Sequence, residues 1–231
     1  MGAIVGLLVA SWVVSLSGAL MPGPLLTVTI NQSLHRGVSA GPLVVLGHAL
    51  LELALVLVLL SGLQSLLAVP PVEMGLSLAG GAVLGYMSWG LLAVARKTPQ
   101  PLPWERTGEE GRSRRQAAGL APIWAGIVTS VVNPYWELWW VSIGAAMLFQ
   151  ARGAGVAGVL AFYLGHILGD LGWYTAVAVA VVLGRRWLNR RAYSVLMAVC
   201  GLFLAAFALY FLYHGLEVGQ RLGVWSWFGL S

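Results

Sequence analysis

The sequence predicts an all-α membrane protein of six transmembrane helices, built as two inverted three-helix repeats whose first and fourth helices are broken. Three observations lead there. Hydrophobic residues make up 59% and charged residues 9% of the 231 positions, with a mean hydropathy of +0.84, whereas a soluble domain carries roughly a quarter charged residues. Six apolar runs are long enough to cross about 30 Å of hydrocarbon. The pattern Gly-His-x-Leu-x-acid occurs once in each half of the chain.

The expected spans cover roughly 3–33, 41–63, 75–95, 119–149, 155–184 and 194–213. The first ends in small residues, as a secretory signal does. It has no positively charged start and exceeds the usual apolar core of about 7–15 residues, so it reads as a retained helix. Residues 1–95 form the first three-helix repeat and 119–213 the second. Between them, 96–118 holds Pro99, Pro101 and Pro103 with most of the charges and reads as a cytoplasmic linker. The tail 214–231, with Arg221, Trp225, Trp227 and Phe228, suits a membrane interface.

The net charge of +5 does not form a basic face. Eleven of the thirteen Lys/Arg fall after spans one, three and five: Arg36, then Arg96 to Arg115, then Arg185 to Arg191. Only Arg152 and Arg221 lie on the other side. Such clustering marks cytoplasmic loops, puts both termini outside and argues against nucleic-acid binding. The single Cys200 excludes a disulfide framework and thiol-exchange chemistry, and reads as a small core residue.

The repeat signal carries the functional expectation. Span two contains Gly47-His48-Ala49-Leu50-Leu51-Glu52, and span five contains Gly165-His166-Ile167-Leu168-Gly169-Asp170. A proline break precedes each, Met21-Pro22-Gly23-Pro24 and Val132-Asn133-Pro134-Tyr135. Spans three and six carry small-xxx-small pairs, Gly81/Gly85 and Gly201/Ala205, which let helices approach closely. Three spans per half, an odd number, insert the second copy upside down, an arrangement common among secondary transporters.

Gly23-Pro24 and Asn133-Pro134 read as a helix cap followed by proline at the first helical position. Each would start a half-helix within the membrane whose free N–H groups and positive dipole end suit a carboxylate. The candidate substrate-binding residues are therefore Pro22, Gly23, Pro24, Asn133, Pro134 and Glu137. The other intramembrane ionisable groups are His48, Glu52, His166 and Asp170. Burying a charge there costs at least about 2.5–3.5 kcal/mol, so each needs a partner or a wet cavity. Both His/acid pairs are spaced i,i+4 on one helix face and are candidate proton carriers. As an alternative, the same four residues make a two-nitrogen, two-oxygen metal set. Trp136, Trp139, Trp140, Trp173 and Tyr174 read more readily as interfacial belt residues than as path lining.

The chain resembles the lysine-exporter (LysE/RhtB-type) superfamily of small-molecule exporters. The resemblance rests on Met21-Pro22-Gly23-Pro24, the following Gly37, Gly41 and Gly47, and Asn133-Pro134, and spans essentially the whole chain. It implies export of an amino acid or related solute, driven by the proton gradient, across a prokaryotic inner membrane. Relatives in the wider superfamily handle divalent metal ions. Tyr135-Trp136-Glu137-Leu138-Trp139-Trp140 and the two His/acid motifs depart from the amino-acid exporters.

The leading expectation is thus a secondary exporter of a small zwitterion, with a divalent-metal exporter as the alternative. No nucleotide-binding motif, nucleophile–base pair or HExxH signature is present, so neither enzymatic activity nor a cofactor is expected. The expected partners are the small-molecule substrate, protons and membrane lipid, with homodimerisation left open. A non-transporting scaffold or sensor would instead tolerate loss of both acids.

Overall fold

The computed structural model describes residues 2–21, 23–62, 70–97, 102, 104–105 and 119–224; of these, the side chains of Pro134, Tyr135, Leu138, Val141 and Ser142 are not described. Every regular element among the described residues is helical. In chain order they are α1 (Gly2–Ala19), α2 (Pro24–Arg36), α3 (Ala40–Leu60), α4 (Pro70–Arg96), α5 (Ala121–Val131), α6 (Pro134–Trp139), a π-helical turn (Trp140–Gly144), α7 (Ala145–Arg152), α8 (Gly155–Gly184) and α9 (Arg190–Arg221). Five of them (α1, α3, α4, α8 and α9) are long and apolar enough to cross a membrane.

The expected first and fourth spans are not continuous rods. Span one divides into α1 and α2, and span four divides into α5, α6, the π-turn and α7. The local chemistry explains both breaks. Gly23 is extended at φ −149°, ψ 179°, and Pro24 opens α2 with its ring already at a helical φ. α2 ends at Gly37, whose φ of 86° lets its N–H return to the Ser33 carbonyl. In span four, α5 stops at Val131 and a new helix starts at Pro134, with the Asn133 carbonyl accepting from Trp136 and Glu137 N–H. At the other end of the chain, α9 runs to Arg221 rather than stopping near 213, so residues 214–221 are helical. Pro22, most of the 96–118 linker and the aromatic end of the tail lie outside the described residues.

The helices gather into two compact units, Met1–Val56 with Gln100–Leu188, and Leu57–Pro99 with Asn189–Ser231. Each draws on both halves of the chain. In the first, α1 packs along α8, where Ser11 Oγ donates to the Phe162 carbonyl at 2.6 Å. In the second, α4 packs along α9 over most of their length. There Gly81 faces Ala208 and Leu212, Gly201 faces Leu91 and Leu92, and Ser88 Oγ donates to the Gly201 carbonyl at 2.8 Å. Both small-residue pairs thus contribute a glycine to a helix contact inside the chain.

The glycine before each motif histidine has a definite job. A Cβ on Gly47 would overlap the Ile123 carbonyl oxygen of α5, and one on Gly165 would overlap the Leu8 carbonyl oxygen of α1. Gly126 of α5 meets the Val44 carbonyl of α3 in the same way. α3 therefore lies backbone to backbone on α5, and α8 on α1, which delivers His48 and His166 from opposite sides into one interior.

Candidate functional site

The first unit has a polar interior. His48, Glu52, His166 and Asp170 are all buried, with Glu52 fully enclosed at 0% exposure. The i,i+4 spacing puts each acid one turn below its histidine, and the glycine contacts turn both faces inward. His48 Nε2 lies 3.2 Å from Glu52 Oε1 and 3.3 Å from Asp170 Oδ2. His166 Nε2 lies 3.1 Å from Glu52 Oε2 and 3.3 Å from Asp170 Oδ2. Each histidine thus reaches both its own acid and the acid of the other motif. One ligand atom from each of the four falls within 4.8 Å of every other.

Glu52 is also gripped from the broken fourth span. Trp136 Nε1 and Trp140 Nε1 each donate to Glu52 Oε1 at 2.8 Å. The two indoles are four residues apart and face one way, and the π-turn begins at Trp140; π-turns recur at functional sites because they re-aim side chains. His48 Nδ1 approaches Ser130 Oγ at 2.7 Å, and Ser130 Oγ in turn donates to the Gly126 carbonyl at 2.7 Å. His166 is held by rings, with Trp139 at 4.5 Å and Phe162 at 6.3 Å between centroids. Its Nδ1 is buried without a hydrogen-bond partner, as are Glu52 Oε2 and Asp170 Oδ2.

A cavity of about 40 Å³ opens against this cluster. Its lining includes all four cluster residues and Asn133 from the second break. The two breaks are neighbours, since the Cβ direction of Gly23 points to within 3.7 Å of the Asn133 amide. Pro24 is buried at the start of α2. Of the expected site residues, the structure therefore brings together His48, Glu52, His166, Asp170, Gly23 and Asn133, with Pro24 and Pro134 opening the helices beside them. Glu137 is half-buried and does not line the cavity. Pro22 lies outside the described residues.

Two groups of residues have a role that the sequence reading ranked second or did not give. Trp136, Trp139 and Tyr174 line the cavity, and Trp140 is buried against Glu52, so the belt reading of these four is corrected. The signal was present in the i,i+4 spacing of Trp136 and Trp140 beside a break. Ser130 had no signal of its own, being a serine in an apolar run.

Residues 16–215 match the family described as LysE type translocator. The chain is 31% identical over 189 residues to the chemotactic transduction protein ChpE of Pseudomonas aeruginosa, an alignment covering 81% of this chain and 88% of that protein. No solved structure matches it. With most of the chain matched, membrane-length helices and two helix breaks beside a buried polar cavity, this multi-pass membrane protein belongs to the LysE type translocator family of small-molecule exporters.

Proposed function

We propose that the protein exports a divalent transition-metal cation, taken up by His48, Glu52, His166 and Asp170 where the two broken helices meet. The observation that carries this reading is the convergence of two imidazole nitrogens and two carboxylate oxygens within 4.8 Å of one another. His48 Nε2, Glu52 Oε1, His166 Nε2 and Asp170 Oδ2 form a ring with N···O sides of 3.2–3.3 Å. Corners of such a ring lie about 2.0–2.3 Å from a common centre, the length of a metal–ligand bond. His166 Nε2 has hydrogen-bond geometry to Glu52 Oε1 at 3.2 Å, whereas Glu52 Oε2 and Asp170 Oδ2 sit within 3.3 Å of an imidazole nitrogen without it. The mixed donor set suits zinc, manganese or a similar ion. No Lys or Arg lines the cavity among the described residues, so two carboxylates leave it negative, which favours a dication over a zwitterion.

The cation is cargo in this account. Rocking of one inverted repeat against the other would alternate its access, with the prokaryotic inner membrane as the setting and both termini outside. The reciprocal glycine contacts support the inverted relation, since span two leans on span four as span five leans on span one. Purified protein should melt at higher temperature with Zn²⁺ or Mn²⁺, and His48→Ala should abolish the gain. Stabilisation by amino acids but by neither metal would overturn the reading.

A second reading is favoured by the proximity of Gly23 and Asn133. Two half-helix N-termini side by side suit a carboxylate, as in a proton-gradient-driven amino-acid exporter whose His/acid cluster carries the coupling protons. The name of the Pseudomonas aeruginosa relative refers to chemotactic transduction; a sensory role for this chain would predict that loss of both acids leaves its function intact.

A further inference from the structure

We infer that Ser130 is the positioning residue of the cation site: it fixes the His48 ring so that Nε2, rather than Nδ1–H, faces the two carboxylates as an open ligand. The inference rests on the metal reading above and deepens it. Its argument is one of proton bookkeeping. Ser130 Oγ carries a single proton, and the Gly126 carbonyl 2.7 Å away can only accept. For both 2.7 Å contacts of Oγ to be hydrogen bonds, that proton must go to Gly126, since the carbonyl has none to give. The 2.7 Å contact from His48 Nδ1 to the same Oγ is then a hydrogen bond only if Nδ1 carries the proton.

The consequence falls on the opposite nitrogen. In neutral His48, Nε2 bears a lone pair, and it stands 3.2 Å from Glu52 Oε1 and 3.3 Å from Asp170 Oδ2. Lone pairs facing one another at this distance in a buried site repel unless a cation lies between them. A metal ion satisfies this directly. A proton satisfies it by converting His48 to imidazolium, and Nε2 is the one position left for it. Partners that orient a ligating imidazole through its other nitrogen are a general feature of metal sites.

The second motif has no equivalent. His166 Nδ1 is buried without a partner, and its ring is set by Trp139 and Phe162. Ser130 lies three residues before Asn133; three residues before Gly23 the first repeat has Leu20, which offers no hydroxyl. The two histidines are alike in sequence and unlike in how their tautomers are set.

The test uses the full chain in detergent, with Zn²⁺ as titrant and Co²⁺ as the spectroscopic probe. Ser130→Ala should remain folded and bind Zn²⁺ about 10- to 100-fold more weakly. Ser130→Thr, which keeps the hydroxyl, should recover most of the loss, and the Co²⁺ absorption bands should shift in Ser130→Ala alone. Wild-type affinity in Ser130→Ala would overturn the inference and leave the metal reading standing. Failure of the wild type to bind either ion would overturn the metal reading instead. Nitrogen-15 spectra of the histidine rings decide the tautomer independently of both: His48 should carry its proton on Nδ1 in the metal-free wild type. A proton on Nε2 alone would overturn the inference whatever the variants do.

Discussion

The two compact units each draw on both halves of the chain and differ in how they treat buried polar groups. The unit of α4 and α9 is built from two unbroken helices of 27 and 32 residues. Its contact is made by glycines against leucines, and one buried hydroxyl, Ser88, goes to a backbone carbonyl. The other unit interrupts two of its spans and buries two histidines and two acids. In one unit the hydroxyls of Ser88 and Ser194 go to backbone carbonyls. The other gathers groups that cannot all be satisfied by one another. In a bilayer the second arrangement is costly, and it persists where the site has work to do.

The sharpest way to break this contrast is to disturb the glycine that seats the histidine. Gly47→Val would drive a side chain into the Ile123 carbonyl, and we expect loss of the folded protein or destabilisation of about 3 kcal/mol or more, read by thermal unfolding in detergent. A variant that melts like wild type would show that the α3–α5 approach is not what organises the site. Next in size is the double change Glu52→Gln with Asp170→Asn. It should reduce transport in vesicles to background while the protein still inserts and folds. Wild-type flux would remove both acids from the mechanism.

Smaller effects distinguish the units more finely. Trp140→Phe keeps the ring but deletes one of the two indole donors to Glu52, and should cost about 1.5–3 kcal/mol of thermal stability while weakening cargo binding. Ser88→Ala in the other unit removes a neutral hydrogen bond and should cost about 0.6 kcal/mol with cargo binding unchanged. The smallest effect belongs to the exposed pair His214–Glu73, 2.8 Å apart between α9 and α4. His214→Gln should shift stability by about 0.3 kcal/mol or less. An equal response in both units would erase the comparison.

The sequence made part of this legible. Cap and proline together marked where α2 and α6 begin, because a proline at the first helical position is both tolerated and preorganised. The i,i+4 spacing put His48 with Glu52 and His166 with Asp170 on common faces. What it could not supply was helix rotation. The bonds from Trp136 and Trp140 to Glu52 join residues 84 and 88 positions apart, and the Ser130–His48 contact joins residues 82 apart. Each depends on how α3 is rotated against α5, α6 and the π-turn, and no local propensity records that angle. The π-turn was equally hidden, since Trp140–Gly144 reads as ordinary helix. Length misled in one place, because the sixth apolar run suggested a stop near 213 while the helix itself continues to Arg221.

Gly47 closes the circle between packing and chemistry. Were a methyl group present there, α3 and α5 would have to separate, and the hydroxyl of Ser130 would withdraw from the imidazole it now touches. In the proposed site, the side of the ring offered to the cargo would then be settled by an empty space on the far face of the neighbouring residue. Substituting that glycine would look like a packing defect in a melting curve and like a lost ligand in a binding assay.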